Sequence, residues 1–175
     1  MSDSSIGSFP ETGHDHASCV EDALSAAEKY CRANRLRWTP LRARVLEIIW
    51  GRHGPLGAYD ILETLTAERL AADGREHSKG RVAPPTVYRT LDFLIEHGFA
   101  HRVDSLNAYV GCGQIGKSHK SYFLICTHCG NAAEIVDRGL SEALKGCADK
   151  AGFEVDREVI EISGRCPACQ IKLAD

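Results

Sequence analysis

Long apolar runs are missing from this 175-residue chain: stretches such as Tyr122–Ile125 stop far short of the roughly 20 residues a membrane span requires. The N-terminus, MSDSSIGSFPETGHDHAS, places no basic segment before an apolar block, so it does not read as a secretory signal. Neither an internal repeat nor a coiled-coil heptad run is present. The motifs H-E-x-x-H and H-x-E of zinc hydrolases and deaminases are also absent. With 43% apolar and 26% charged residues the composition is globular. These features predict a soluble cytoplasmic protein that is not an enzyme and has no small-molecule substrate and no membrane partner.

An excess of positive charge is lacking too, since the net charge is −3. Its distribution matters more than its sum. Between Lys29 and Arg52 lie seven basic residues and one acid, Glu47. Such a segment suits contacts to phosphate, although on charge alone an Arg-rich solvated helix face fits equally well.

What the chain does have is cysteine, eight in all. Without an export signal, clustered thiols point to metal rather than to a disulfide framework. Cys126-Thr-His-Cys129 and Cys166-Pro-Ala-Cys169 are C-x-x-C pairs with 36 residues between them. Four thiolates in two such knuckles can surround one tetrahedral Zn²⁺ as a structural site. Thiol oxidoreductase chemistry at either pair is the competing reading. Cys19, Cys31 and Cys147 fall on helical patterns without a thiol neighbour and read as small buried residues.

Residues 1–17 carry no apolar periodicity and read as a flexible tail, in which His14 and His16 are solvent-exposed bystanders. Four helical patterns follow. Val20, Leu24, Ala27 and Cys31 share one face; Thr39-Pro40 caps and opens a helix with Leu41, Val45, Ile48 and Ile49 inward; Ala58, Ile61, Leu62 and Leu65 mark the third. A Gly- and charge-rich loop, Asp73–Gly80, precedes the fourth, which opens at Pro84-Pro85-Thr86, buries Val87, Leu91, Leu94 and Ile95, and stops at Gly98. Phe99–Val103, a turn at Asp104–Asn107, and Ala108–Val110 read as a β-hairpin. Helices and then a hairpin are the order of a winged helix-turn-helix. The predicted fold is therefore α+β, with a winged-helix DNA-binding domain over 18–111, a hinge over 112–120 and a small α/β domain over 121–175. The last is expected to hold strands at Ser121–Cys126, Ala132–Val136 and Phe153–Ile162, with a helix at Leu140–Ala151. A unit of that size is marginal on core burial alone, and a zinc site supplies the missing stabilisation.

The fourth helix turns Thr86, Arg89 and Asp92–Phe93 outward or sideways, with Tyr88 near its first turn. Its free backbone N–H groups suit a phosphate, and Arg89 can reach guanine in a major groove. Together with Arg37–Arg42 (RWTPLR), Ala58-Tyr59-Asp60 and both C-x-x-C pairs, the run Ala83–Phe99 (APPTVYRTLDFLIEHGF) resembles the ferric uptake regulator family, and within it the zinc-dependent repressors. The resemblance extends from about Val20 to Gln170. It implies a homodimer, joined through the C-terminal domain, that binds double-stranded DNA at an AT-rich palindrome. It also implies that Tyr59 and Arg89 touch DNA, although Tyr59 can equally be a helix-start aromatic packed on the core.

A sensor needs a second metal site, one that empties. His101 on the first wing strand, Cys112 at the end of the hairpin, His119 before the next strand and Glu134 beyond Cys129 offer two imidazoles, a thiolate and a carboxylate. That is a closed tetrahedral set with no place for a reactive water. The resemblance places sensing ligands at these same four positions and brings the expected total to about two zinc ions per chain, one structural and one regulatory. The thiolate favours zinc over manganese, magnesium or calcium. The His-His-x-His run usual in iron- and peroxide-sensing relatives is replaced by Ser118-His119-Lys120-Ser121. A sibling sensor of iron or nickel is the alternative within the family.

Overall fold

A proline at the first helical position, behind a threonine whose side chain caps the helix, organises the first half of the molecule. Thr39 Oγ1 accepts the Arg42 backbone N–H at 3.3 Å, and Pro40 occupies the turn where a missing N–H costs nothing. The computed structural model describes residues 5–6, 9, 16–52, 54–73, 82–117 and 119–171. In chain order the elements are β1 (Ser5–Ile6), α1 (His16–Ala33), α2 (Pro40–Trp50), β2 (Leu56–Gly57), α3 (Ala58–Asp73), α4 (Pro84–Glu96), β3 (Ala100–Val103), β4 (Ala108–Gly111), β5 (Tyr122–Cys126), β6 (Ala132–Val136), α5 (Arg138–Lys150), β7 (Glu161–Gly164) and α6 (Pro167–Ile171). None of the described helices is long and apolar enough to cross a membrane. His14, His77, the loop 74–80 and the side chain of His16 lie outside the described residues.

The chain divides into two compact units, Asp15–Lys117 and the combination of Met1–His14 with Ser118–Asp175. The first unit has a continuous apolar core to which α2 contributes Val45, Leu46 and Ile49, α3 Ile61, and α4 Leu91 and Leu94. Its antiparallel sheet has the order β2-β4-β3, and the β3–β4 hairpin pairs Ala100 with Gly111 and Val103 with Ala108. The turn between them is closed by Asn107 at φ 47°, a left-handed position that asparagine tolerates. At its other end, α4 stops at Gly98, where φ is +67°. The Asp60 carboxylate accepts the Gly57 N–H at 3.1 Å, tying the start of α3 to β2.

The fourth helix differs from its expected orientation at one residue. Phe93 faces inward and is buried, in edge-on contact with His97 and Phe99. The Arg42 guanidinium covers its ring at 3.4 Å and donates to the Arg37 carbonyl. The apolar stripe of α4 is thus wider than Val87, Leu91, Leu94 and Ile95 alone.

The second unit is a four-stranded sheet of order β1-β6-β5-β7, antiparallel except for the parallel β5–β7 pair. Ser5 and Ile6, inside the segment expected to be a flexible tail, pair with Val136 and Ile135. The edge of β6 offers unpaired backbone groups, and even a polar segment can satisfy these. Helix α5 is capped by Asp137, whose side chain accepts the Leu140 N–H at 2.8 Å. It buries no residue, and Cys147 on it is exposed, unlike Cys31, which is fully buried as expected.

The expected strand Phe153–Ile162 forms only from Glu161 onward. Only 153–156 alternate apolar and polar before the polar run Asp156-Arg157-Glu158; the first ladder bond to β5 comes at Ile160, whose carbonyl accepts the Phe123 N–H at 3.0 Å, and Phe153, Val155 and Val159 stay exposed. This segment is anchored by Glu158, which accepts hydrogen bonds from Lys120 and from the Tyr122 hydroxyl. Lys120, and then Tyr122, hold the Glu158 carboxyl below its ordinary range. A depressed carboxylate contributes stability above its unfolded value, near 4.3, and loses it as the pH falls through the lower folded one. Glu158→Gln is therefore expected to reduce the stability of this unit at pH 7 and to flatten its dependence on pH below about 4.5. Acid titration of the wild type and the variant by circular dichroism checks both.

Candidate metal centre and nucleic-acid interface

Two turns bring the four knuckle cysteines together. After β5, the Gly130 N–H donates to the Cys126 carbonyl at 2.9 Å, with Gly130 itself at φ +73°. At the start of α6, the Cys169 N–H donates to the Cys166 carbonyl at 3.0 Å, and Pro167 opens the helix. The Thr127 N–H reaches the Gly164 carbonyl at 2.9 Å and ties the two turns to each other. The Sγ atoms of Cys126, Cys129, Cys166 and Cys169 lie within 4.8 Å of one another, with Cys129 and Cys166 at 3.8 Å. Four Zn–S bonds of about 2.3 Å place tetrahedral sulfurs roughly 3.8 Å apart, so the set fits a closed zinc site.

The thiols are unequally prepared for metal. Backbone N–H groups of Cys166 and Cys129 draw the Cys126 thiol down to about 5, which favours its thiolate. Burial, followed by the neighbouring thiols, pushes Cys169 up to about 12. A zinc ion seated here displaces the protons that remain. Three of the four cysteines are buried and Cys129 is exposed. Phe9 packs against the cluster from the N-terminal segment, a contact that no sequence motif announces.

The four residues of the expected second set lie two in each unit. In the first, His101 sits half-buried on β3 opposite Val110. Cys112 follows β4 at 1% exposure; its N–H donates to the Phe99 carbonyl at 3.0 Å, and its sulfur accepts the Gln114 N–H at 3.3 Å. In the second unit, His119 Nε2 lies 2.9 Å from Glu134 Oε1, both side chains being largely buried. The Ser121 hydroxyl donates to the same carboxylate oxygen. Each half thus presents two donors suited to zinc, with neighbouring groups that orient the sulfur and the carboxylate.

The candidate nucleic-acid face of the first unit is built by α3 and α4. Tyr59, at the start of α3, is 70% exposed and not packed on the core. Thr86 and Arg89 are exposed on the first turns of α4, and Tyr88 is 40% exposed beside them. The Thr86 carbonyl accepts the Thr90 hydroxyl, so Thr90 turns inward while Thr86 remains outward. Not all the upstream arginines are available to a ligand. Arg44 pairs with Glu68 and Glu47, and Arg32 with Glu28.

A helical core with an exposed fourth-helix face and a β-hairpin wing, joined to a sheet unit with a cluster of four cysteines that fits zinc, defines a winged-helix protein with a candidate zinc site. The chain belongs to the ferric uptake regulator family, whose model matches residues 33–163. It is 37% identical over 151 residues to the zinc uptake regulation protein of Escherichia coli K12, covering 86% of this chain and 82% of the relative. Among solved structures it is similar to a zinc uptake regulator complexed with zinc and DNA, at TM-score 0.77 and 37% identity, covering 89% of this chain and 98% of that one. It is similar also to the holo form of XcZur, at TM-score 0.73 and 36% identity, covering 86% and 98%.

Proposed function

We propose that this chain is a zinc-responsive transcriptional repressor: loaded with zinc, its homodimer occupies operator DNA in the cytoplasm and shuts off genes of zinc uptake. No catalytic step is assigned to it. The observation that carries this reading is Cys112, a buried thiol in a half-site whose counterpart, His119 with Glu134, is preorganised by its own hydrogen bond. A thiolate among imidazole and carboxylate donors selects zinc over the harder divalent ions, and a closed set of four suits a sensor rather than a catalyst.

In this mechanism one zinc ion is held by His101, Cys112, His119 and Glu134 and a second by the four knuckle cysteines. The knuckle site stabilises the C-terminal unit. The other ion recruits donors from both units, so its binding favours one arrangement of the reading heads over the rest. Metal then acts as a ligand with unequal affinity for two states, and only one of them spans both half-sites of an operator. Arg89, Thr86, Tyr88 and Tyr59 contact the DNA, with Arg89 directed at a base edge and the first turn of α4 at a phosphate. Arg89→Ala is expected to weaken operator binding by about 1–3 kcal/mol, with zinc content unchanged. Fluorescence anisotropy at fixed salt together with elemental analysis reads both.

A second copy of this chain covers the apolar surface that α5 and residues 153–160 leave open. Leu144, Phe153, Val155 and Val159 line a cavity there, flanked by Lys145, Asp149 and Arg157. Phe153→Asp places a charge in that contact and is expected to give a monomer with at least tenfold weaker operator affinity, since the two half-sites no longer share one body. Sedimentation velocity detects the monomer. Titrating operator binding in buffered zinc, iron and nickel tests the function as a whole: zinc alone should support binding at its lowest free concentration, and preference for iron or nickel sinks the zinc assignment.

A further inference from the structure

Trp50 closes α2 and lies against the backbone of Gly111, the last residue of β4. A Cβ built on Gly111 falls 2.3 Å from the indole Nε1, 2.4 Å from Cε2 and 2.8 Å from Cδ1. Real side chains do not approach so closely, and the obstacle is a rigid ring already packed on the core rather than the tip of a flexible chain. Gly111 is required here by this contact, since its backbone is ordinary extended strand paired with Ala100. The indole N–H is buried without a hydrogen-bond partner among the described residues. A buried donor left so is unfavourable and calls for an explanation.

The residue after Gly111 supplies one. Cys112 is held by its own N–H, which donates to the carbonyl of the fully buried Phe99 at 3.0 Å. The end of β4 is thus seated between the indole and the start of β3, which leaves the sulfur little freedom. Zinc–sulfur bonds tolerate errors of only about 0.2 Å around 2.3 Å, so a shift of a few tenths of an ångström in this backbone disturbs the bond.

We propose that Trp50 is a positioning residue for the metal-binding thiol of Cys112, and that the Trp50–Gly111 contact sets the affinity of the regulatory zinc site. The inference rests on the reading of Cys112 as a ligand, and it adds a residue that touches no metal. It also joins the metal site to α2, which shares its core with α4.

The test uses the full-length protein with zinc in the knuckle site and Co²⁺ titrated into the second. The near-ultraviolet thiolate-to-cobalt absorption reports the Cys112 bond directly, and Cys112→Ser is the control that should abolish it. Gly111→Ala is expected to weaken cobalt binding by 10–100-fold, as losses of supporting contacts around metal ligands do, with less absorption per bound ion. Trp50→Ala weakens it less, because nothing is forced apart. Adding Trp50→Ala to Gly111→Ala removes the clash and should recover binding to the level of Trp50→Ala alone, although the double variant lacks the ring and melts no higher. A merely structural role would let metal affinity follow the melting temperature and give no recovery. Wild-type affinity and absorption in both Gly111→Ala and Trp50→Ala overturn the proposal, as does a double variant that stays as weak as Gly111→Ala. Absorption that survives in Cys112→Ser overturns the ligand reading itself, a different result from either.

Discussion

Cys166→Ser is expected to leave the C-terminal unit unfolded while the winged-helix unit persists. Apart from the cysteines, which are packed by Phe9, this sheet buries Tyr122, Phe123, Ile125 and Ala133, and α5 buries no residue at all. Structural zinc contributes an apparent 10–16 kcal/mol to folding, as much as the whole stability of an ordinary domain. Serine cannot replace the thiolate, and the three sulfurs left would share a site without its fourth corner. The core around Leu46, Ile61 and Leu91 belongs to the other unit and does not depend on metal. Amide exchange should therefore lose protection in β5, β6 and β7 while α2 and α4 retain theirs. Stripping zinc from the wild type with a strong chelator should produce the same pattern, and persistent protection of β5 in the variant would refute the assignment.

Cys112→Ser should have the opposite profile, a folded dimer with its knuckle zinc in place that no longer responds to added metal. The substitution is small, and the residue lies in the unit whose core needs no ion. Its effect is on the switch. To drive a two-state equilibrium nearly to completion, metal must favour one state by about 10⁴-fold, or roughly 5.5 kcal/mol. A site reduced to two imidazoles and a carboxylate loses the soft donor that supplies much of this preference. Operator affinity with and without zinc should then differ little in the variant, whereas in the wild type it should differ by orders of magnitude. If the variant still shifted operator DNA only on addition of zinc, Cys112 would not be a sensing ligand.

Much of this arrangement is legible in the residues themselves. Thr39-Pro40 opens a helix because capping and a dispensable N–H are local properties, and both are realised at α2. The C-x-x-C turns are equally local and suggest zinc knuckles, and the structure brings the four Sγ atoms within 4.8 Å of one another. What is not legible depends on partners distant in sequence. Phe93 faces inward against His97 and Phe99 with Arg42 across its ring, and the Arg42 contact joins residues 51 positions apart in the chain. The basic segment around α2 overstates the charge available to a ligand, since Glu28 and Glu68, which pair with Arg32 and Arg44, lie outside it. Cys147 follows the pattern of a buried residue, yet it is exposed on a helix that buries none of its residues. Trp50 and Gly111 are a matched pair only once α2 and β4 are side by side. A glycine next to a candidate metal thiol is the one signal that hints at it.

The pairing of Ser5–Ile6 with β6 has a consequence for how the molecule is made. The winged-helix unit is one uninterrupted stretch, Asp15–Lys117, and can complete its core while the ribosome is still adding the remainder. The zinc-bearing unit takes its first strand from before that stretch and its last cysteine, Cys169, from well after it. During translation the winged-helix unit can thus be completed before Cys166 and Cys169, the second pair of knuckle thiols, have been made.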